Sequence, residues 1–275
     1  MSLTTVLVIF GIGSIAGLIG ALFGLGGGIL IVPVLAIGFG VPMHTAIATS
    51  LLCGIATSSA AASRNIRLGI ANVRLGLLLE PWTVTGAIAG GLIAGLLPGE
   101  TLMKIFGVCI IGMAIPMGRG LGEREPPNVE DEPSPLNGAY FDAASGRDVR
   151  YAVERLPFAM GISTAAGVLS GLLGVGGGII QVPALTLVCR LPMKAAAATS
   201  NFMIGVTAVA SAIIYYGRGY VSPPLGAACV IGVFLGSRVG VVASGRIHGE
   251  AIRKAFALVM VVIGVRLLVK AYGVG

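Results

Sequence analysis

The chain has 275 residues, 56% hydrophobic and 11% charged, with a mean hydropathy of +0.98 and a formal net charge of +7. A water-soluble fold of this length has too little interior to hide that much apolar surface, so several membrane spans are expected. The 44 glycines follow no Gly-X-Y period, which excludes collagen, and the basic residues sit at the ends of apolar runs rather than in one stripe, which argues against nucleic-acid partners.

Starting at the N-terminus, MSLTTVLVIFG lacks a basic n-region, so no cleaved signal peptide is expected. Apolar runs follow at about 6–39, 43–62, 75–97 and 102–117, and again at about 156–189, 193–216, 225–243 and 252–269. The two sets are copies. AGLIGALFGLGGGILIVPVLAIGFGVPMHTAIATS at 16–50 and AGVLSGLLGVGGGIIQVPALTLVCRLPMKAAAATS at 166–200 agree at 17 of 35 positions without a gap. The same offset aligns Gly86, Gly90, Glu100, Lys104 and Phe106 with Gly236, Gly240, Glu250, Lys254 and Phe256. The chain therefore reads as a first transmembrane repeat at 1–117, a hydrophilic linker at 118–155 and a second transmembrane repeat at 156–275. The linker carries GEREPPNVEDEPSP, a composition that cannot bury enough apolar surface to fold alone, and is expected to be a solvated cytoplasmic tether.

Basic residues set the relation between the copies. The loop after the second run holds Arg64, Arg67 and Arg74 in the first copy but only Arg218 in the second; the loop after the third run holds only Lys104 in the first copy but Arg246, Arg253 and Lys254 in the second. The positive-inside rule then places equivalent loops on opposite sides of the membrane, so the fold class is an all-α integral membrane protein of two inverted-topology repeats with about four to five membrane segments each. The same rule makes the first run of each copy begin and end on one side. Two arms of about 15 residues, too short for full spans, would form a helical hairpin broken at the glycines, or a re-entrant pair.

The break itself is Gly24-x-Gly26-Gly27-Gly28-x4-Pro33, repeated as Gly174-x-Gly176-Gly177-Gly178-x4-Pro183. Glycine permits positive φ, and proline suits the first turn of a new helix. A helix broken inside hydrocarbon survives only against protein or a watery cavity, and its N-terminus offers free N–H groups to an anion. Two such breaks in inverted copies would face each other in mid-membrane, as in a secondary carrier. The competing reading is small-residue packing, for which Gly20xxxGly24, Gly86xxxGly90 and Gly236xxxGly240 are suited. GLGGGI is not a P-loop, because no Lys-Ser/Thr pair follows.

Downstream, Thr49-Ser50 and Thr199-Ser200-Asn201 place hydroxyl and amide donors in apolar helices, with Thr57, Ser58 and Thr207 continuing the polar face; these either bind an oxyanion or bond back to helices. The candidate substrate-binding set is thus Gly26, Gly27, Gly28, Thr49, Ser50, Gly176, Gly177, Gly178, Thr199, Ser200 and Asn201. His44, Lys194 and Arg238 are candidates for attracting an anion. Glu80, the one carboxylate within an apolar run, is read as a partner of Arg74 or as a proton relay. Cys53, Cys109, Cys189 and Cys229 form no CxxC and read as small packing residues, so neither a metal nor a cofactor is expected.

The duplicated GLFGLGGGILIVPVL and GLLGVGGGIIQVPAL, each followed by Ala-Thr-Ser, resemble the TauE/SafE sulfite exporter family. The resemblance spans both copies and maps the family's motif region onto 24–33, 49–50, 174–183 and 199–201. It implies a multi-pass permease of the bacterial cytoplasmic (inner) membrane, moving small sulfur-containing anions such as sulfite or organosulfonates. Its partners are then the anion, the bilayer and a coupling ion, H⁺ or Na⁺, that the residues do not identify. A carrier rather than an enzyme is expected. A passive anion channel is one alternative. A sulfur relay through Cys53 is another, although Cys53 has Met203 at the equivalent position.

Overall fold

The computed structural model describes residues 3–118, 134–142, 146–243 and 250–272. In chain order the helices are α1 (Leu3–Phe23), α2 (Gly28–Pro33), α3 (Met43–Arg67), α4 (Val73–Ala94) and α5 (Gly99–Gly118). The set recurs as α6 (Leu156–Leu173), α7 (Gly178–Pro183), α8 (Met193–Gly217), α9 (Pro223–Ala243) and α10 (Glu250–Ala271). α2 and α7 each run on into a π-helical turn, Val34–Gly38 and Ala184–Val188. From α2 through α3 the boundaries recur 150 positions later to the residue, so the duplication is structural as well as sequential. Among the described residues six helices are long and apolar enough to cross a membrane: α1, α3, α4, α6, α8 and α9.

The first apolar run of each copy is a hairpin, but a lopsided one. α1 has 21 residues, while the returning arm has 6 α-helical and 5 π-helical residues. At 1.5 Å per residue the long arm spans roughly 31 Å and the short arm roughly 16 Å, about half a bilayer core. The short arm runs back along the long one, because Ile31, Leu35 and Phe39 surround a small apolar cavity together with Ile9 and Ile12. Arms of equal length are thus not what forms. Nor does the proline open the second helix: Pro33 and Pro183 end the α-helical part. Lacking an N–H to donate to the preceding turn, proline breaks the ladder there, and the chain continues with the wider π spacing.

Glycine seams hold the long helices together across the copies. A Cβ at Gly13 would lie 3.0 Å from the Cys229 carbonyl oxygen, and positions 232, 236 and 240 back onto the carbonyls of Phe10, Ser14 and Leu18, joining α1 to α9. Gly86, Gly90, Gly167 and Gly171 join α4 to α6 in the same way. These pairs, including Gly86xxxGly90 and Gly236xxxGly240, are packing surfaces, as small residues in lipid allow. α3 and α8 cross at the centre, where Gly54 meets Ile204 and Ala208 while Ser58 meets Gly205 and the Phe202 carbonyl. In that crossing, numbers rise along one helix as they fall along the other. α5 and α10 behave alike: Gly107 meets Leu268, and Gly264 meets Ile111.

The segment expected to be a solvated tether contains a β-hairpin. Within it, β1 (Gly138–Asp142) and β2 (Arg147–Tyr151) form an antiparallel hairpin with Tyr140 opposite Val149. Tyr140 and Tyr151 are buried in one apolar cluster with Ile70, Leu75, Leu79, Leu185 and Leu191, and Lys194 pairs with Asp142 at 2.7 Å. The hairpin has no core of its own: its two tyrosines belong to an apolar cluster shared with the helices. The acidic stretch at 119–133 and the region of Arg246 lie outside the described residues.

Candidate substrate site

At each hairpin tip, single glycines take the left-handed conformation that turns the chain. Gly24, Gly26 and Gly27 have φ of 71°, 73° and 71°, and Gly174, Gly176 and Gly177 have 72°, 71° and 77°. A side chain at any of them would be strained. The two tips touch. A Cβ at Gly28 would lie 2.7 Å from the Gly174 carbonyl oxygen and 3.0 Å from the Val175 Cα, and Gly178 backs onto the Gly24 carbonyl in the same manner.

Serines lock the contact in a crossed pattern. Ser50 Oγ of the first copy donates to the Gly174 carbonyl at 2.6 Å, and Ser200 Oγ of the second donates to the Gly24 carbonyl at 2.8 Å. Both serines are fully buried. Asn201 Nδ2 donates to the Ala21 carbonyl at 3.0 Å, securing the end of α1, and its Oδ1 has no partner among the described residues. Thr199 accepts from the Asn72 N–H at 2.9 Å, so it holds the turn before α4, whereas its counterpart Thr49 has an unpartnered hydroxyl. Among the described residues no carbonyl accepts from the N–H groups of Gly26–Gly28 or Gly176–Gly178.

Sequence reasoning passed over one residue at this centre. The Ile204 side chain lies 3.2 Å from where a Cβ at Gly26 would sit, 2.8 Å from one at Gly176 and 2.9 Å from one at Gly178. The equivalent of Ile204 is Gly54, so a single isoleucine fills the space between both tips. The signal was there: a duplicated position occupied by glycine in one copy and a large aliphatic in the other.

The whole architecture, and not the glycines alone, matches known proteins. The family model for sulfite exporter TauE/SafE matches residues 9–267. The chain belongs to the TauE/SafE family. It is 27% identical to the probable membrane transporter protein YunE of Bacillus subtilis, with 96% of each chain covered. It is 28% identical to a probable membrane transporter protein of Methanocaldococcus jannaschii, covering 94% of this chain and 93% of the relative. No solved structure matches.

This TauE/SafE member is thus a membrane transporter, and its candidate residues divide into two groups. The glycine tips, Ser50, Ser200 and Asn201 meet at one place. His44, Lys194 and Arg238 do not. His44 stacks on Tyr220 at 4.7 Å with its Nε2 3.1 Å from the Ala94 carbonyl; Lys194 is bound to Asp142; Arg238 is exposed, with its guanidinium 5.0 Å from the Phe234 ring. Thr57 bonds back to the Cys53 carbonyl at 3.0 Å and also reaches the Gly26 carbonyl of the tip at 3.4 Å, while Ser58 reaches the Phe202 carbonyl at 3.5 Å. Glu80 does not pair with Arg74, which donates to the Pro135 carbonyl instead; it accepts from Thr207 Oγ1 at 2.8 Å. The reason is geometric: Glu80 lies on the side of α4 that faces α8, and Arg74 on an exposed side.

Proposed function

We propose that this protein is a secondary carrier of small sulfur-containing anions, such as sulfite or an organosulfonate, which bind between the two glycine tips. The observation that carries the reading is the crossed Ser50–Gly174 and Ser200–Gly24 pair, lying beside six glycine N–H groups that no described carbonyl accepts. Oriented N–H groups and hydroxyls can replace water around an oxyanion without a fixed countercharge, which permits release as well as binding. When the tips separate, each serine hydroxyl exchanges a carbonyl for the anion. Thr49 and Asn201, with partnerless oxygens at this level, and Thr199 complete the set.

Inverted repeats support alternating access. α3 against α8, and α5 against α10, are equivalent helices that cross in opposite senses, as an axis in the membrane plane requires. Rocking one hairpin against the other exposes the tips first to one side and then to the other. Ile204, standing between them, seals the middle while neither side is open. Family membership favours the bacterial inner membrane, and the charge pattern of the loops favours a cytoplasmic linker.

The test is thermal stabilisation of the purified protein by sulfite, thiosulfate, sulfoacetate and taurine. At least one oxyanion should raise the unfolding temperature, and Gly27→Leu or Gly177→Leu should abolish the shift. Gly161→Leu, at a position with open space around it, should keep it. Equal stabilisation of all four proteins would remove the tips from the site.

A further inference from the structure

A second polar site lies inside the helix bundle, apart from the glycine tips. Glu80 on α4 is 6% exposed and sits two turns inside the start of its helix, roughly 10 Å along it. Thr207 on α8 donates to its Oε1, and its Oε2 has no partner among the described residues. One turn back along α8, Met203 Sδ lies 3.2 Å from Gln181 Nε2, which also donates to Ser163 Oγ of α6 at 3.2 Å. Gln181 is 2% exposed, and its Oε1 is likewise unpartnered. Met203 Cγ is 3.6 Å from a Cβ placed at Gly76, one turn before Glu80, so Gln181 and Met203 lie one turn from the Glu80–Thr207 pair along α4 and α8.

The cluster has two buried acceptor oxygens without donors. It is donor-poor. An ionised carboxylate there, in hydrocarbon and with a single hydroxyl to support it, is costly. Adding one proton to Glu80 removes the charge and supplies a donor.

The other copy shows that packing does not demand this arrangement. At the positions of Glu80, Gln181, Ser163 and Met203 stand Val230, Ile31, Gly13 and Cys53, and only Thr207 has a like counterpart, Thr57. Gly13 and Ile31 there line the small apolar cavity instead. The same fold is built with apolar residues on one side and a carboxylate with an amide on the other.

Neighbouring titratable groups are engaged or turned away. α6 and α7 carry none. On α4, Arg74 is bound to the Pro135 carbonyl; on α8, Lys194 is bound to Asp142, Tyr215 donates to the Gly171 carbonyl, and Tyr216 is exposed. In the β-hairpin, Tyr140 and Tyr151 are buried in an apolar cluster, and Arg147, Asp148 and Arg150 are exposed.

We infer that Glu80, held by Thr207 and one helical turn from Gln181, is a proton-binding site that loads and unloads during the transport cycle. The proton passes from water to the Glu80 carboxylate and returns to water, and no other bond changes. The coupling role rests on the carrier reading above; proton binding does not, and it is measured without any anion.

The probe is the proton itself. Infrared difference spectra of the full chain in nanodiscs, over a pH series from about 5 to about 9, should show a carboxylic acid C=O band that disappears as pH rises. The band should be absent from Glu80→Gln and should not respond to exchange of choline for sodium. Thr207→Val, which removes the one donor to the carboxylate among the described residues, should shift the band and move its loss to higher pH; this arm also serves if Glu80→Gln does not fold. Glu100→Gln should leave the band in place. The proposal is overturned if the band is missing throughout, if it persists unchanged across the series, or if sodium abolishes it at constant pH.

Discussion

Ser50 donates to the carbonyl of Gly174 across 124 positions of sequence, and Ser200 returns the bond to Gly24 across 176. Each hydroxyl reaches from the central helix of one copy to the hairpin tip of the other. Removing either donor leaves a buried carbonyl unpaired, which costs about 1–3 kcal/mol. Ser50→Ala and Ser200→Ala should lower thermal stability in detergent by comparable amounts. A marked inequality would show that the two locks are not equivalent.

The tip contact tolerates no added atom. A methyl at Gly28 would come 2.5 Å from Ser50 Oγ and 2.7 Å from the Gly174 carbonyl, both part of the lock. Gly28→Ala and Gly178→Ala should therefore destabilise more than Ser50→Ala, by the mechanism of overpacking. Gly112→Ala, where nothing lies within 4 Å, should be neutral or slightly stabilising, because alanine is the better helix former. Chemical or thermal unfolding of the four variants gives the order directly.

Ile204 fills the centre alone. Truncation to alanine leaves a cavity between the tips, at about 2–5 kcal/mol for a buried isoleucine. Beyond lower stability, Ile204→Ala should raise anion leak through proteoliposomes in the absence of exchange, since the seal between the two sides is gone. Lower stability with unchanged leak would make Ile204 a packing residue only.

Docking of the β-hairpin should depend on alkaline pH. Burial, helped by Asp142 and then Tyr151, pushes the Tyr140 hydroxyl from its usual 10 up to about 12. A raised value means that the stabilisation is complete below pH 10 and is lost as pH climbs towards 12. Hydrogen exchange at 138–142 and 146–151 should therefore accelerate through that window beyond the intrinsic base-catalysed rise, and Tyr140→Phe should remove the excess. A similar excess in Tyr140→Phe would assign the loss to another group.

Much of this fold can be read from the chain. The 150-residue offset, the glycine breaks and the apolar runs all follow from strong periodic signals, and they reappear as helices at matching positions. The hairpin arms are unequal because Pro33 ends α-helical bonding, a local effect that run length alone does not show. The β-hairpin was hidden because Tyr140 and Tyr151 share an apolar cluster with residues as remote in sequence as Leu75 and Leu185. The site was half legible. Ser50 and Ser200 stand out as repeated polar residues, but their crossed partners depend on how the copies meet. Glu80 was conspicuous; Thr207 as its donor was not, since that pairing comes from α4 lying against α8.

All of these results hang on the two copies lying head to tail, and side-specific labelling examines that most directly. Arg67 and Gly217, equivalent positions at the ends of α3 and α8, are both exposed. With the four native cysteines replaced, a membrane-impermeant thiol reagent added to oriented vesicles should label Arg67→Cys from one side and Gly217→Cys from the other. Labelling of both from the same side would contradict the antiparallel arrangement and, with it, the shared site between the tips.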